Sequence, residues 1–170
     1  MLQYKDDKLT PKAEKIRLFL TDCDGCMTDG GMYYSERGEV MKCFNAKDGM
    51  GIELLRKTGI ITGIITGEDS QIAYQRALKL HMDEIHLGIK NKLICVKEIC
   101  DRLNILPSQT AYVGDDINDI DVMEYVGYAF TVPNAEEAVK RYAYYVSQRG
   151  GGKGAIRDIA EKIMDINLYK

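Results

Sequence analysis

The stretch "LTDCDGCMTDGG" at residues 20–31 carries two overlapping sets of reactive side chains. Cys23 and Cys26 form a C-x-x-C pair, the spacing of redox dithiols and of half a zinc site. Asp22, Asp24 and Asp29 are interleaved with them. A second acidic run, "GDDINDID" at 114–121, gathers Asp115, Asp116, Asn118 and Asp119. Crowded carboxylates repel one another unless a cation neutralises them, and magnesium, with its oxygen ligands, is the expected ion. Such a site attracts phosphate and can stabilise an in-line displacement at phosphorus. The sulfurs are the weaker candidates. Reactive C-x-x-C pairs usually open a helix, whereas Gly25 and Asp29 mark a loop, and adjacent carboxylates raise a thiol pKa.

Two further residues suit phosphate chemistry. Thr66 ends the apolar run "IITGIIT" (60–66) and precedes Gly67, leaving its hydroxyl and nearby N–H groups available to an oxyanion. Lys92 opens a helical pattern, where its ammonium can offset charge beside the acidic residues.

These side chains need elements that bring them together. "IRLFLT" (16–21), "IITGIIT" and "TAYVG" (110–114) read as buried strands, too short for independent helices and each running into a candidate residue. Further strands are expected at 84–87, 128–131 and 143–147. Helices are expected over 49–58, after a cap at Asp69 or Ser70, through Leu93 to Leu103, over 117–126, and from about 135 and 155. Alternating strands and helices predict an α/β, three-layer Rossmann-like sandwich with a mostly parallel sheet, in one domain spanning 1–170. Ligands in such sheets bind beyond the carboxyl ends of the strands, where strand order reverses. Asp22, Thr66 and Asp115 all lie there.

Composition narrows the function. A net charge of -3 argues against a nucleic-acid partner, whose phosphates need a basic face. No apolar run reaches membrane-spanning length, and residues 1–15 lack the apolar segment of a signal peptide. Five cysteines without framework spacing fit a reducing compartment, so the expected location is the cytoplasm.

The order "DCDG", Thr66, Lys92, "GDDIND" resembles the four motifs of the haloacid dehalogenase superfamily, across nearly the whole chain. The resemblance implies that Asp22 attacks phosphorus to form an aspartyl-phosphate, while Asp24 protonates the leaving alcohol and then activates water. It implies magnesium held by Asp22, the backbone carbonyl of Asp24, and Asp115. Asp116 or Asp119 would assist through water or Lys92, and Thr66 and Lys92 would bind the phosphoryl oxygens. A covalent step and charge stabilisation make chemical sense of that set.

Only residues 25–48 separate Asp24 from the helix expected near Gly49, and only 67–91 separate Thr66 from Lys92. Neither gap holds a cap domain; "GGMYYSERGEVMKCFN" suits a small β-hairpin turning around "ERGE". In the similar capless subfamily a homotetramer completes each active site with a neighbouring subunit. "TDGGMYY", "FNAKDGMGI", "ITGE", "NKL" and "RGGGKGAIRDI" resemble the phosphatases of 3-deoxy-2-ulosonic acid phosphates, enzymes of cell-surface sugar biosynthesis. The resemblance implies substrate contacts from Lys47, Gly67, Glu68, Arg76 and Lys79. Arg76 would reach the substrate carboxylate from the neighbour, and a guanidinium fork suits that partner. Glu68 and Lys79 resemble the branch acting on nine-carbon, sialic-type 9-phosphates; Lys47, in "AKDG", resembles the branch acting on 3-deoxy-D-manno-octulosonate 8-phosphate. The balance favours the nine-carbon ester. The "RGGGKG" segment is expected near the mouth, either as a tail closing over substrate or as a loop before the last helix.

Three alternatives remain: a redox or zinc protein built on Cys23 and Cys26, a phosphoacceptor signalling domain, and a non-catalytic tetramerising relative associated with a sugar-nucleotide synthetase.

Overall fold

A computed structural model describes residues 14–169. The polar N-terminal stretch read above lies mostly outside the described residues. Six strands form one parallel sheet in the order β5-β4-β1-β6-β7-β8. They are β1 (Leu18–Thr21), β4 (Ile61–Ile65), β5 (Glu84–His86), β6 (Thr110–Val113), β7 (Tyr128–Thr131) and β8 (Tyr145–Val146). A separate antiparallel hairpin joins β2 (Tyr33–Ser35) to β3 (Gly38–Met41).

β1 sits centrally, pairing Leu18 with Ile61 on one side and Thr110 on the other. Its residues are all buried because helices cover both sheet faces, the reason for an unbroken apolar run. Alternation sorts its side chains. Phe19 packs with Ile52, Leu55, Ile156 and Ile163 of α1 (Ala46–Lys57) and α6 (Ala155–Leu168). Leu18 and Leu20 point the other way, to Val96, Ile99 and Val122 of α3 (Lys92–Leu103) and α4 (Ile120–Tyr125). From β1 the chain builds outward through β4 and β5, then returns to build β6, β7 and β8. The strand order therefore reverses beside β1.

Several boundaries differ from the sequence expectation for local reasons. α1 begins at Ala46 rather than near Gly49, because the Asn45 side chain accepts the Lys47 N–H as an N-cap. Ser70 caps α2 (Gln71–Lys79) by accepting the Ala73 N–H. The helix expected over 117–126 opens as a 3₁₀ turn, Ile117–Asp119, before α4. The helix expected from about 135 is one turn only, α5 (Glu137–Lys140). Between Asp24 and α1 lies only the hairpin; between Thr66 and Lys92 lie only α2 and β5. No helix among the described residues is long and apolar enough to cross a membrane.

Candidate active site

The carboxyl ends of β1, β4 and β6 border a cleft of about 330 Å³ lined by Asp22, Asp24, Thr66, Lys92, Asp115 and Asp116, with Gly67, Glu68 and Asn118 at its sides. Asp22 directly follows β1, and its N–H continues the sheet by donating to Val113 C=O at 2.9 Å. Its Oδ1 accepts the Cys23 N–H at 2.7 Å. Gly25 (φ +81°) turns the chain away; a Cβ there would lie 1.9 Å from Asp115 Oδ2.

Lys92 is buried at the start of α3, its Nζ 3.1 Å from Asp22 Oδ2 and 2.7 Å from Asp119 Oδ1. Burial opposes its charge, but the two carboxylates outweigh this and hold its pKa above the usual lysine value. Asp119 is fully buried and saturated. The Tyr112 hydroxyl also donates to its Oδ1, while Oδ2 accepts the N–H groups of Asp115 and Asp116 at 3.0 and 3.3 Å.

Among the described residues, Asp22, Asp115 and Asp119 bring one carboxylate oxygen each within 4.8 Å of one another. Burial raises the Asp22 pKa to about 7, with Lys92 opposing and Asp119 adding repulsion. Burial and the Asp119 charge likewise raise Asp115 to about 7. A hard cation reverses both effects, and the all-oxygen donor set fits magnesium. Asp119 takes two donors on each oxygen, whereas Asp22 takes one on each and the Asp115 side chain only the Cys26 thiol, so Asp22 and Asp115 keep acceptor capacity for a metal. Asp24 directs its carboxylate elsewhere and is outside that trio. Asp116 is exposed and accepts the Ile117 N–H at 2.7 Å, capping the 3₁₀ turn.

The C-x-x-C cysteines are buried, and only Cys26 touches this chemistry, its Sγ donating to Asp115 Oδ1 at 3.7 Å. Cys23 and Cys26 are fully buried in the α1–α6 core layer. Burial first, then neighbouring carboxylates, pushes both thiols well above the usual range, so neither is a ready nucleophile.

The sequence profile of the haloacid dehalogenase-like hydrolases matches residues 55–154. The chain belongs to that family. Among its relatives, the 3-deoxy-D-manno-octulosonate 8-phosphate phosphatase KdsC of Escherichia coli K12 is 38% identical over 153 residues, covering 90% of this chain and 81% of the relative. The KdsC of Yersinia pestis is 37% identical over 158 residues, covering 93% and 84%. A crystal structure of the Moraxella catarrhalis 3-deoxy-D-manno-octulosonate 8-phosphate phosphatase, in complex with magnesium, phosphate and KDO, superposes with a TM-score of 0.89. It is 34% identical and is matched over 96% of this chain and 94% of that one.

Within this hydrolase fold, the structure assembles Asp22, Asp24, Thr66, Gly67, Glu68, Lys92, Asp115 and Asp116 around one cleft, with Asp119 behind Lys92. Thr66 Oγ1 accepts the Glu68 N–H at 3.3 Å, which fixes the turn after β4. Lys47, Arg76 and Lys79 do not line the cleft of their own chain. Lys47 is exposed on α1. Arg76 lies over the Phe44 ring, 5.5 Å from its centroid, and donates to Asn45 C=O at 3.2 Å. Lys79 borders a separate hollow with Arg56, Lys57 and His81.

Two residues were not foreseen. Lys42, after β3, has a fully buried side chain whose ammonium meets Asp24 Oδ1 at 2.7 Å and Glu39 Oε1 at 2.6 Å. No spacing rule marks a lysine that far from the motifs. Asn134 bridges the loop after β1 to the Gly-rich segment. Its Nδ2 donates to Gly25 C=O at 2.9 Å, and its Oδ1 accepts the Gly151 N–H at 2.7 Å. Its place just beyond β7, at the same sheet edge, was the available signal. The "RGGGKG" segment is accordingly packed against the loop after β1, with the Gly152 N–H donating to Cys26 C=O at 3.2 Å.

Proposed function

We propose that this protein is a magnesium-dependent phosphatase of 3-deoxy-2-ulosonic acid phosphates, working through an aspartyl-phosphate on Asp22. The observation that carries the reading is Asp22 at a strand-order reversal, 3.1 Å from a buried lysine and beside the open carboxylate of Asp115. Held by Asp22, Asp115 and the Asp24 carbonyl, magnesium supplies charge neutralisation that lets a phosphate approach these acids. Lys92 and Thr66 bind phosphoryl oxygens, and Lys92 is itself fixed by Asp119. Asp22 forms the bond to phosphorus, and Asp24 gives the leaving alcohol its proton and later takes one from water. A buried, preorganised floor is what such a displacement requires.

The eight-carbon 3-deoxy-D-manno-octulosonate 8-phosphate is the first substrate to test, since the relatives that share most of the chain are named for it. The nine-carbon 9-phosphate remains the second, on one observation: Glu68, a residue resembling that branch, is among those lining the cleft. Lys79, the other residue favouring it, meets substrate only if a second subunit brings it there. The exposed apolar residues of the hairpin, Met32, Tyr33, Tyr34, Val40 and Met41, support a homotetramer in which neighbours complete each site. The role would lie in cytoplasmic synthesis of a cell-surface sugar.

Phosphate release from both esters, with and without magnesium, tests the reading. Activity lost on chelation, restored by magnesium, and reduced by about 10³-fold or more in Asp22→Asn is expected. A preference for the eight-carbon ester above tenfold assigns the substrate; the reverse preference assigns it to the Glu68 branch. No release from either ester would favour the non-catalytic, synthetase-associated reading.

A further inference from the structure

Asp24 has two inequivalent oxygens. Oδ1 is held by Lys42 Nζ at 2.7 Å, with Thr28 Oγ1 3.4 Å away. Oδ2 is buried and has no hydrogen-bond partner among the described residues, although Asp24 lines the cleft. An unpartnered buried carboxylate oxygen is costly, and a reacting group is one partner that would satisfy it. Lys42 is itself unusual. Its side chain is fully buried, and its charge is shared with Glu39, whose second oxygen accepts the hydroxyl of Ser70, the N-cap of α2.

We propose that Lys42 is a positioning residue for proton transfer, clamping Asp24 Oδ1 so that Oδ2 alone faces the leaving-group oxygen. The proposal rests on the reading of Asp24 as the acid and base given above. In the first step the bond from an Asp22 oxygen to phosphorus forms and the phosphorus–sugar oxygen bond breaks. The proton on Asp24 Oδ2 then passes to the departing oxygen. In the second step a water oxygen bonds to phosphorus, its proton returns to Oδ2, and the bond to Asp22 breaks. Lys42 exchanges no proton in either step. The same ammonium ties the cleft to β3 and, through Glu39 and Ser70, to the start of α2.

Leaving-group dependence tests this. An alkyl alcohol needs a proton to leave, whereas p-nitrophenolate leaves without one. Lys42→Met should lower kcat/KM for 3-deoxy-D-manno-octulosonate 8-phosphate by about 10- to 100-fold, part of the roughly 10²–10⁴ that acid–base catalysis supplies. With p-nitrophenyl phosphate the fall should stay within about threefold. Lys42→Arg should recover part of the loss on the sugar ester alone. Equal losses on both esters, or none on either, overturn the proposal. Asp24→Asn is measured alongside. If it shows the selective loss and Lys42→Met does not, the clamp is wrong and the role of Asp24 stands. If Asp24→Asn shows no selectivity, both fall. Should Lys42→Met not fold, Glu39→Gln reads the same ratio; a selective loss of about threefold or more supports the clamp, and an unchanged ratio overturns it.

Discussion

At the floor of the cleft, Asp119 satisfies four donors with two oxygens, and Lys92 is 3% exposed between two carboxylates. At its rim, the hairpin holds Tyr33 and Tyr34 47% and 59% exposed, with Val40 and Met41 also in solvent. The floor is complete within one chain; the rim presents apolar surface that a single chain leaves uncovered. Buried ion clusters like the one around Lys92 seldom add net stability, because desolvation offsets the Coulomb gain. They are justified by placement of charge. On the proposed function the rim bears on recognition: its exposed apolar side chains would suit a second subunit, and Arg76, outside its own cleft, would meet substrate only by reaching another. On that reading, the contrast separates chemistry built into one chain from specificity that a second subunit would complete.

Among variants that leave Asp22 intact and bear on the contrast, the largest expected effect breaks the rim without touching the floor. Arg76→Ala should cost kcat/KM for the sugar-acid ester about 10- to 100-fold, the loss of a charged hydrogen-bonding partner worth roughly 1.5–3 kcal/mol. Turnover of p-nitrophenyl phosphate, which has no carboxylate to recognise, should change little. Arg76 also stacks on Phe44 and holds Asn45 C=O. If that were its whole role, both esters would fall together, along with the melting temperature.

The second effect strikes the floor from below. A Cβ on Gly151 would sit 1.8 Å from Gly25 C=O and 2.7 Å from Thr28 C=O, so Gly151→Ala must push the catalytic loop aside. Overpacking of this kind costs about 1–3 kcal/mol, measurable as a lowered urea midpoint with an unchanged m-value. Both esters should lose activity, because the loop that carries Asp22 and Asp24 moves. A loss shared by p-nitrophenyl phosphate is therefore the signature of damage at Asp22, whereas a loss confined to the sugar acid points to the rim or to the Lys42–Asp24 pair.

That division also explains what the sequence could disclose. Asp22, Thr66, Lys92 and Asp115 follow or precede elements of strong pattern, so their convergence was readable from strand ends and fold class. The two cysteines were readable as packing, because alternation after β1 sends Cys23 to the face opposite its neighbours. Lys42 was not, since its role depends on a hairpin folding back over Asp24, a contact across eighteen positions with no periodic trace. For the same reason the sequence left the Gly-rich segment open between a closing tail and a loop before the last helix. Its glycines serve close backbone contact with residues 25–29, which composition alone cannot distinguish from mobility. The length of α5 was likewise invisible, because the turn through Asn134 is set by its bonds to Gly25 and Gly151 rather than by propensity.

The smallest effect lies in a third region and sharpens the contrast by leaving both halves alone. Glu84, on the edge strand β5, is buried; burial raises its pKa, but Arg102 at 2.7 Å and His86 at 2.8 Å outweigh this and leave it lowered. A lowered carboxylate contributes stability that is complete above the unfolded value of about 4.3 and is lost as pH falls through the folded value. Glu84→Gln should therefore destabilise by about 1 kcal/mol or less at pH 7, since Arg102 is largely exposed and screened by water. The difference from the parent protein should shrink towards zero as the pH falls below about 4. Urea titrations at several pH values measure it. Because Glu84 is not a lining residue of the cleft, kcat/KM on both esters should be unchanged at pH 7. A selective loss on the sugar ester would mean that the edge strand transmits to the rim, through α2 and its Ser70 cap, and that recognition extends further from the hairpin than the exposed apolar surface marks.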